Sequence, residues 1–290
     1  MGFRGIFPVL QTPLTKNNEL DISSLKKEVD FCIQAGAHGL VFPVLGSEFQ
    51  FLAKEERKQA VEVVVTQSRG RIPVVAGVAG SKKADAVEYT RHAAKAGADA
   101  VIALPPDDKN EIRDYYKAIA DASDCPVFIQ HTNPDMDVQL LLQLLDEIEN
   151  ISYVKEEMHP SAHQISALLR KIGDSCLGVF GGAHGRWMLS ELHRGASGFM
   201  PAAEMTDIHV QIWNAYQLGD EVGARKIFNK LLPLINLITI LGLRVCKEVL
   251  VMRGVFECSA TRMPGSIELD SDDIRELEII VEDLKPLFNA

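Results

Sequence analysis

The sequence predicts an α/β protein of the (β/α)8 barrel class, a TIM barrel, with a helical extension at its carboxy-terminal end. Eight short apolar runs recur within about 200 residues, and stretches with helical spacing lie between them. The runs are continuous rather than alternating, which is typical of parallel strands covered by helices. A doubly wound open sheet is the alternative, because the pattern alone cannot show that the sheet closes.

The predicted elements follow one another in a regular order. The eight strands are predicted within residues 5–13, 39–44, 73–79, 100–106, 126–132, 151–157, 176–182 and 196–202. Helical spacing between them is clearest at 22–35, 54–67, 83–96, 111–122 and 162–172. Several of these helices end at a Gly-Ala pair, where the glycine closes the helix before the next strand begins.

The chain is predicted to be helical from Met205 onward. Helical segments are expected at 224–241, 243–253 and 271–288, whereas the loop at 257–265 lacks helical periodicity. No low-complexity linker separates these segments from the strands. We therefore expect a barrel over residues 1–220 and a helical extension packed on it over residues 221–290.

Composition excludes several classes of partner. The chain has 30 basic and 40 acidic residues, a formal charge of -10, so neither nucleic acid nor an anionic membrane is an expected partner. Its five cysteines are odd in number, widely spaced and without a CxxC pair, which favours reduced thiols in the cytoplasm. We identify no signal-peptide core and no apolar stretch of membrane-spanning length, so a cytoplasmic protein is expected.

The barrel architecture predicts where the chemistry lies. Active sites of such barrels form at the carboxyl ends of the strands, so residues there are expected at one mouth. The candidates are Thr12, Ser47, Glu48, Pro105, His131, Thr132, Lys155, Gly181, Gly182, His184, Met200 and Pro201. They show no metal-ligand spacing, GxGxxG motif or Walker loop, so we expect no metal and no cofactor. The glycine-rich segment around Gly182 predicts at most a carboxylate contact through backbone amides.

Lys155 is the most informative of these candidates. It lies in an apolar, β-branched run, where an ammonium ion is costly unless it is paired or used. Because burial disfavours the charged form, such a lysine can serve as the amine that attacks a ketone to form a Schiff base. The alternative is a strand-end lysine that only pairs with Glu156 or Glu157.

Several short motifs, in this order and spacing, resemble the pyruvate-type class I aldolases and dehydratases that include dihydrodipicolinate synthase and N-acetylneuraminate lyase. The matching segments span nearly the whole chain: 11–13, 46–48, 73–77, 133–134, 154–156, 195–198, Lys247 and 262–264. The resemblance implies that Lys155 forms a Schiff base with a 2-oxo acid, without a metal. It also implies a homotetramer, for which the apolar stretch 231–241 could supply an interface or simply a buried helix.

The sequence also departs from this family's pattern. The family usually has a tyrosine proton shuttle after strand five, where this chain has His131, which is expected either to carry the proton or merely to fill the space. The two threonines of the family's second-strand motif are replaced by Leu45 and Gly46, leaving Ser47 to offer a hydroxyl to the substrate carboxylate. An arginine of dihydrodipicolinate synthase corresponds to Met136, which argues against that activity.

The remaining features are more similar to the sugar-acid branch of the family, which cleaves or dehydrates 2-keto-3-deoxy acids. The Ser-Glu pair at residues 47–48 and the Met-Pro pair at 200–201 carry this likeness. His184 and Arg186 are expected to meet substrate hydroxyls or a distal carboxylate, with an ion pair at the helix start as the alternative for Arg186. Glu48 is expected to be mainly a structural hydrogen-bond acceptor.

The sequence thus predicts a lyase that forms a Schiff base and either cleaves or dehydrates a 2-keto-3-deoxy sugar acid, with dehydration slightly favoured. Two other hypotheses remain open. One is a condensation of pyruvate with an aldehyde, as in dihydrodipicolinate synthase. The other is a non-catalytic protein that binds or senses a 2-oxo acid.

Overall fold

The computed structural model describes residues 2–173 and 175–290. Its eight strands are all parallel and form one sheet in the order β1-β8-β7-β6-β5-β4-β3-β2. The strands are β1 Gly5–Ile6, β2 Leu40–Phe42, β3 Val74–Gly77, β4 Ala100–Ala103, β5 Val127–His131, β6 Ile151–Glu156, β7 Gly178–Gly181 and β8 Gly198–Phe199. Each lies within or overlaps its predicted segment.

The segment after β1 closes the sheet into a barrel. Val9 forms parallel bridges with both Val41 in β2 and Ala202 after β8. The amide of Leu10 donates to Val41 O at 3.0 Å, and the amide of Val41 donates to Pro8 O at 2.9 Å. The (β/α)8 barrel is therefore confirmed, and the doubly wound open sheet is excluded.

Helices separate the strands and continue beyond the last one. Those of the barrel are α1 Ile22–Gln34, α2 Lys54–Ser68, α3 Lys83–Ala96, α4 Ile112–Ala120, α5 Val138–Glu147, α6 Ser161–Leu169, α7 Met188–Leu192 and α8 Thr206–Gln217. The extension contains α9 Glu221–Leu241, α10 Leu243–Met252 and α11 Ser271–Leu284. The predicted last helix is too long because Pro286 lies in a separate 3-10 turn after Leu284. The division of the chain at residue 220 stays a prediction.

The side chains of each strand alternate between two apolar layers. Residues pointing inward fill the barrel, where the Phe128 and Tyr153 rings stack at 4.4 Å and Phe180 packs edge-on against both. Residues pointing outward, such as Ile129 and Val154, join the larger core between the strands and helices. With a period of two, the inward face of β6 continues from Tyr153 to the position of Lys155.

Buried ion pairs fix the extension against the barrel. Lys247 of α10 is buried; its ammonium pairs with Glu48 in the loop after β2 and donates to Ala260 O at 2.7 Å. Arg253 pairs with Asp207 of α8 at 2.7 Å. Burial lowers the pKa of Lys247 below its ordinary value, although the Glu48 carboxylate acts to raise it.

Among residues 2–173 and 175–290, no helix combines the length and apolar character needed to cross a lipid bilayer.

Replacing Lys247 by alanine is expected to destabilise the protein by about 3–5 kcal/mol, because the buried Glu48 carboxylate then loses its cation. The midpoint of denaturant unfolding measures this loss. Lys285→Ala is the matched control, since its pair with Glu282 lies on the surface and should change the midpoint little. Equal shifts in the two variants would show that the buried pair has no special role.

Candidate active site

A cavity of about 420 Å³ opens at the carboxyl ends of the strands, beneath the extension. Its polar lining consists of Gln50, Gln130, Lys155, Glu157 and His184. Its apolar walls include Val9, Leu45, Phe51, Met200, Leu243 and Met263. Among the described residues that line it, Lys155 is the one lysine or arginine. A small molecule that enters this cavity therefore meets one amine, one carboxylate and mostly apolar surface.

Lys155 lies near the end of β6 with its side chain inside the barrel. The residue is only 4% exposed, and its Nζ lies 3.2 Å from Glu157 Oε2. Tyr153, two residues earlier on the same face, belongs to the aromatic layer below it. The amine thus has a carboxylate partner and also faces the cavity. The ion pair with Glu157 is therefore compatible with a role of Lys155 in Schiff-base formation.

Glu157 is held by donors from three directions. Besides the Lys155 contact, Oε2 accepts from Gln130 Nε2 at 2.6 Å and Oε1 accepts from the amide of Ala183 at 3.1 Å. Burial acts to raise the pKa of this carboxyl, but the Lys155 ammonium and the two donors outweigh it, so the pKa is lowered. Glu157 is therefore a carboxylate at neutral pH, within proton-transfer distance of the lysine.

Gly182 makes room for that carboxylate. A Cβ at this position would lie 2.2 Å from Glu157 Oε1, far inside the contact distance. The predicted contribution of Gly182 was a backbone contact with the substrate, whereas the structure shows a space that the Glu157 side chain fills. The following amide, at Ala183, supplies the hydrogen bond.

Gln130 is a cavity residue that the sequence analysis missed. It pairs in register with Lys155 across β5 and β6, and its side chain points into the barrel. Its Nε2 donates to Glu157, while its Oε1 is buried without a hydrogen-bond partner among the described residues. The signal available in the sequence was the period of two: Phe128 and Gln130 share the inward face of β5.

His131 on β5 points to the outer layer, whereas Lys155 on β6 points into the barrel, so the structure does not bring the expected proton carrier to the cavity. Its Nδ1 lies 2.7 Å from Glu156 Oε2 and its Nε2 lies 2.6 Å from Met136 O, so both ring nitrogens are engaged in the outer layer. Burial raises the pKa of Glu156, an effect that His131 opposes. The physical reason is the alternation of a strand, where a shift of one residue changes the face.

His184 and Met200 both line the cavity, as the sequence predicted for the mouth. His184 has a left-handed backbone (φ 56°), and its Nδ1 is buried without a hydrogen-bond partner among the described residues. Burial, together with nearby Arg186, lowers the pKa of His184 to about 4, so its imidazole is neutral at physiological pH. Arg186 is not part of the lining; its Nε donates to Ala183 O at 3.4 Å.

Thr12, Ser47 and Glu48 lie behind the residues that line the cavity, and their contact with a substrate stays a prediction. The hydroxyl of Thr12 donates to Ser47 O, and that of Ser47 donates to Leu10 O. Glu48 accepts from Lys247 and from the hydroxyl of Thr261. These bonds hold the turn 45–47, whose residues Leu45 and Gly46 do line the cavity.

Known proteins resemble this chain over nearly its whole length. The sequence pattern of the Dihydrodipicolinate synthetase family matches residues 2–284. An L-2-keto-3-deoxyarabonate dehydratase from Azospirillum brasilense is 30% identical over 98% of this chain and 95% of its own length. A 4-hydroxy-tetrahydrodipicolinate synthase from Methanothrix thermoacetophila is 31% identical over 81% of each chain. The crystal structure of dihydrodipicolinate synthase from Rhodopseudomonas palustris matches with a TM-score of 0.89, 25% identity and 97% coverage of both chains.

Replacing Gly182 by alanine is expected to displace the Glu157 carboxylate, because the added Cβ would overlap Oε1. Lys155 then loses its acceptor, and the rate of imine formation with pyruvate should fall at least about tenfold. Borohydride trapping followed by intact-protein mass spectrometry measures that rate. Gly173→Ala is the matched control, since no atom lies within 4 Å of its added Cβ. Unchanged rates in Gly182→Ala would contradict this placement of Glu157.

Proposed function

Because the chain belongs to the dihydrodipicolinate synthetase family, we propose that it is a lyase that binds a 2-keto-3-deoxy sugar acid as a Schiff base on Lys155 and removes water from it. The observation that carries this proposal is the Lys155 and Glu157 pair, with Nζ 3.2 Å from Oε2 inside a cavity. The dehydratase from Azospirillum brasilense, aligned over 98% of this chain, supports the choice of substrate class.

The first step needs the amine of Lys155 in its free form. Glu157 accepts a proton from the ammonium, and Nζ then attacks the C2 carbonyl. The oxygen takes one proton from Nζ and one back from Glu157 and leaves as water, so Glu157 is a carboxylate again. The resulting iminium draws electrons from C3. Gln130 and the amide of Ala183 hold Glu157 in place throughout, because they bind its two oxygens from either side.

The second step uses the same carboxylate. Glu157 is the carboxylate in the cavity lining, so it is our candidate for removing the C3 proton and for protonating the C4 hydroxyl as it departs as water. Hydrolysis of the imine then releases the product and restores Lys155. His131 takes no part in this proposal, because both its ring nitrogens are bound in the outer layer.

We propose that the other residues that line the cavity bind the substrate. The backbone of the turn at Leu45 and Gly46 is the candidate contact for the substrate carboxylate, and Thr12, Ser47 and Glu48 act by holding that turn. The substrate hydroxyls are expected near His184, while Met200 forms part of the apolar wall. Gly182 contributes by leaving space for Glu157.

Aldol cleavage remains the second candidate, since it shares every step up to the iminium. Condensation of the dihydrodipicolinate synthase kind is less well supported by the cavity. A second substrate carboxylate would need a cation, yet Lys155 is the one lysine or arginine in the described lining, and Met136 is buried outside it. A non-catalytic binding protein is the remaining alternative.

We also propose that the protein acts as a cytoplasmic homotetramer, as members of its family are expected to do. All five cysteines are free thiols in the structure, which suits a reducing compartment. In the stretch 231–241, most apolar side chains pack inside the chain, but Leu232 and Ile240 stay exposed and are available to an interface. Sedimentation velocity measures the assembly directly.

Incubation with pyruvate and borohydride is expected to add one pyruvate-derived group per chain, located at Lys155 by peptide mass spectrometry. Lys155→Ala should abolish the adduct. The buried Lys247 provides an internal control, because its ammonium is bound by Glu48 and Ala260 and should remain unmodified. An adduct at any other lysine, or none, would overturn the mechanism.

Glu157→Gln is expected to lower the rate of water release from 2-keto-3-deoxy acids by about 10²–10⁴-fold, the usual contribution of a general acid or base. Glu156→Gln is the matched control, since this neighbouring carboxylate faces the outer layer and should affect turnover far less. Product analysis on a panel of such acids, and on pyruvate with an aspartate-derived semialdehyde, separates dehydration, cleavage and condensation. Imine formation without any product would favour the binding protein.

A further inference from the structure

We propose that His184, Glu204 and Cys246 form a binding site for a divalent transition metal of the zinc type, between the barrel mouth and the extension. One ligand atom from each residue lies within 4.8 Å of the other two. The proposed Schiff-base steps use neither Glu204 nor Cys246, and His184 enters the proposed function only as a neighbour of the substrate hydroxyls. The proposal stands on the geometry of these three side chains and is independent of the proposed function.

The three residues converge because of the fold, although they are far apart in the sequence. His184 follows β7, Glu204 follows β8, and Cys246 lies in α10 of the extension. The loops after β7 and β8 are neighbours at the barrel mouth, and α10 packs against the 3-10 turn that contains Glu204. A metal here would join two barrel loops to the extension.

Two of the three residues each carry a buried side-chain atom without a hydrogen-bond partner among the described residues. His184 Nδ1 and Glu204 Oε2 are both buried without a hydrogen bond among the described residues. Glu204 is only 2% exposed and Cys246 is fully buried, so bulk water does not solvate them. A buried polar atom without a partner destabilises the folded protein, and a cation bound to both atoms would remove that effect.

The donor set determines the class of metal. An imidazole nitrogen, a thiolate sulfur and a carboxylate oxygen together suit Zn²⁺ or Co²⁺. Ca²⁺ and Mg²⁺ prefer oxygen ligands alone and are disfavoured. Two of the ligand residues are further held through their backbones: Arg253 donates to Glu204 O at 2.9 Å, and His209 Nε2 lies 3.2 Å from His184 O. Such outer contacts orient metal ligands.

His184 links this site to the active-site cavity, since its side chain also lines that cavity. A metal bound through Nδ1 would fix the imidazole toward Cys246 and so determine what the substrate meets at this wall. The role we assign to the metal is therefore to hold the barrel mouth closed against the extension, and not to take part in imine formation.

Titration of the intact protein with Co²⁺ tests the site, because a cobalt–thiolate bond gives a charge-transfer absorption band in the near ultraviolet. We expect one Co²⁺ per chain with this band, displaced by Zn²⁺. Cys246→Ser should lose the band, whereas Cys32→Ser, which removes another buried thiol, should keep it. Should Cys246→Ser fail to fold, Glu204→Gln provides the second variant, and its affinity for Co²⁺ should fall at least about tenfold.

The rival arrangement is a hydrogen bond between Cys246 and Glu204 with no metal. It predicts a protein that shows no thiolate band at any Co²⁺ concentration. That result, or a band that persists in Cys246→Ser, or equal affinity in Glu204→Gln, would overturn the proposal. Borohydride trapping at Lys155 in the metal-free protein is a separate readout, so failure of the metal site and failure of the Schiff-base mechanism can be told apart.

Discussion

The ion pair between Lys155 and Glu157 is the interaction on which the active site depends. An ammonium and a carboxylate placed in a mostly apolar cavity are costly unless each is satisfied by neighbours. The chain provides this through Gln130 on the adjacent strand, the amide of Ala183, and the missing side chain at Gly182. These contacts come from β5, β6 and the loop after β7, which are neighbours in the sheet, so they require these strands to be paired in register.

The fold could be predicted from the sequence because the patterns that indicate strands and helices lie within short stretches of the chain. Each strand is a continuous apolar run and each helix has its own spacing, so the eight repeats are visible without knowledge of contacts. The burial of Lys155 was also predictable, since the residue lies within such an apolar run. The beginnings of the extension's helices were predicted to within three residues, and its last helix ends early because of Pro286.

What the sequence did not predict is which face of a strand a residue occupies at the barrel mouth. Gln130 and His131 are adjacent and both polar, and histidine suggests acid/base chemistry more strongly than glutamine does. The register with Lys155 decides between them, and the pairing of β5 with β6 contains an irregularity at Val127 and Phe128 that no local pattern reveals. Because the sequence does not show which side chains face the cavity, Glu157 was predicted only as a possible ion-pair partner of Lys155. The cluster of His184, Glu204 and Cys246 has no recognisable spacing, because three separate segments supply it.

The charges of the cavity also restrict its substrate. In the proposed mechanism the Lys155 amine becomes an iminium, so the site would keep one positive charge facing the Glu157 carboxylate. A 2-oxo acid adds one negative charge, which the backbone amides of a turn can accommodate. A second carboxylate on a co-substrate would lie near Glu157 with no further lysine or arginine in the described lining, and its desolvation would go uncompensated. The cavity is therefore better suited to a monocarboxylate whose other end carries neutral hydroxyls, and this is the physical reason to place dehydration of a sugar acid ahead of condensation.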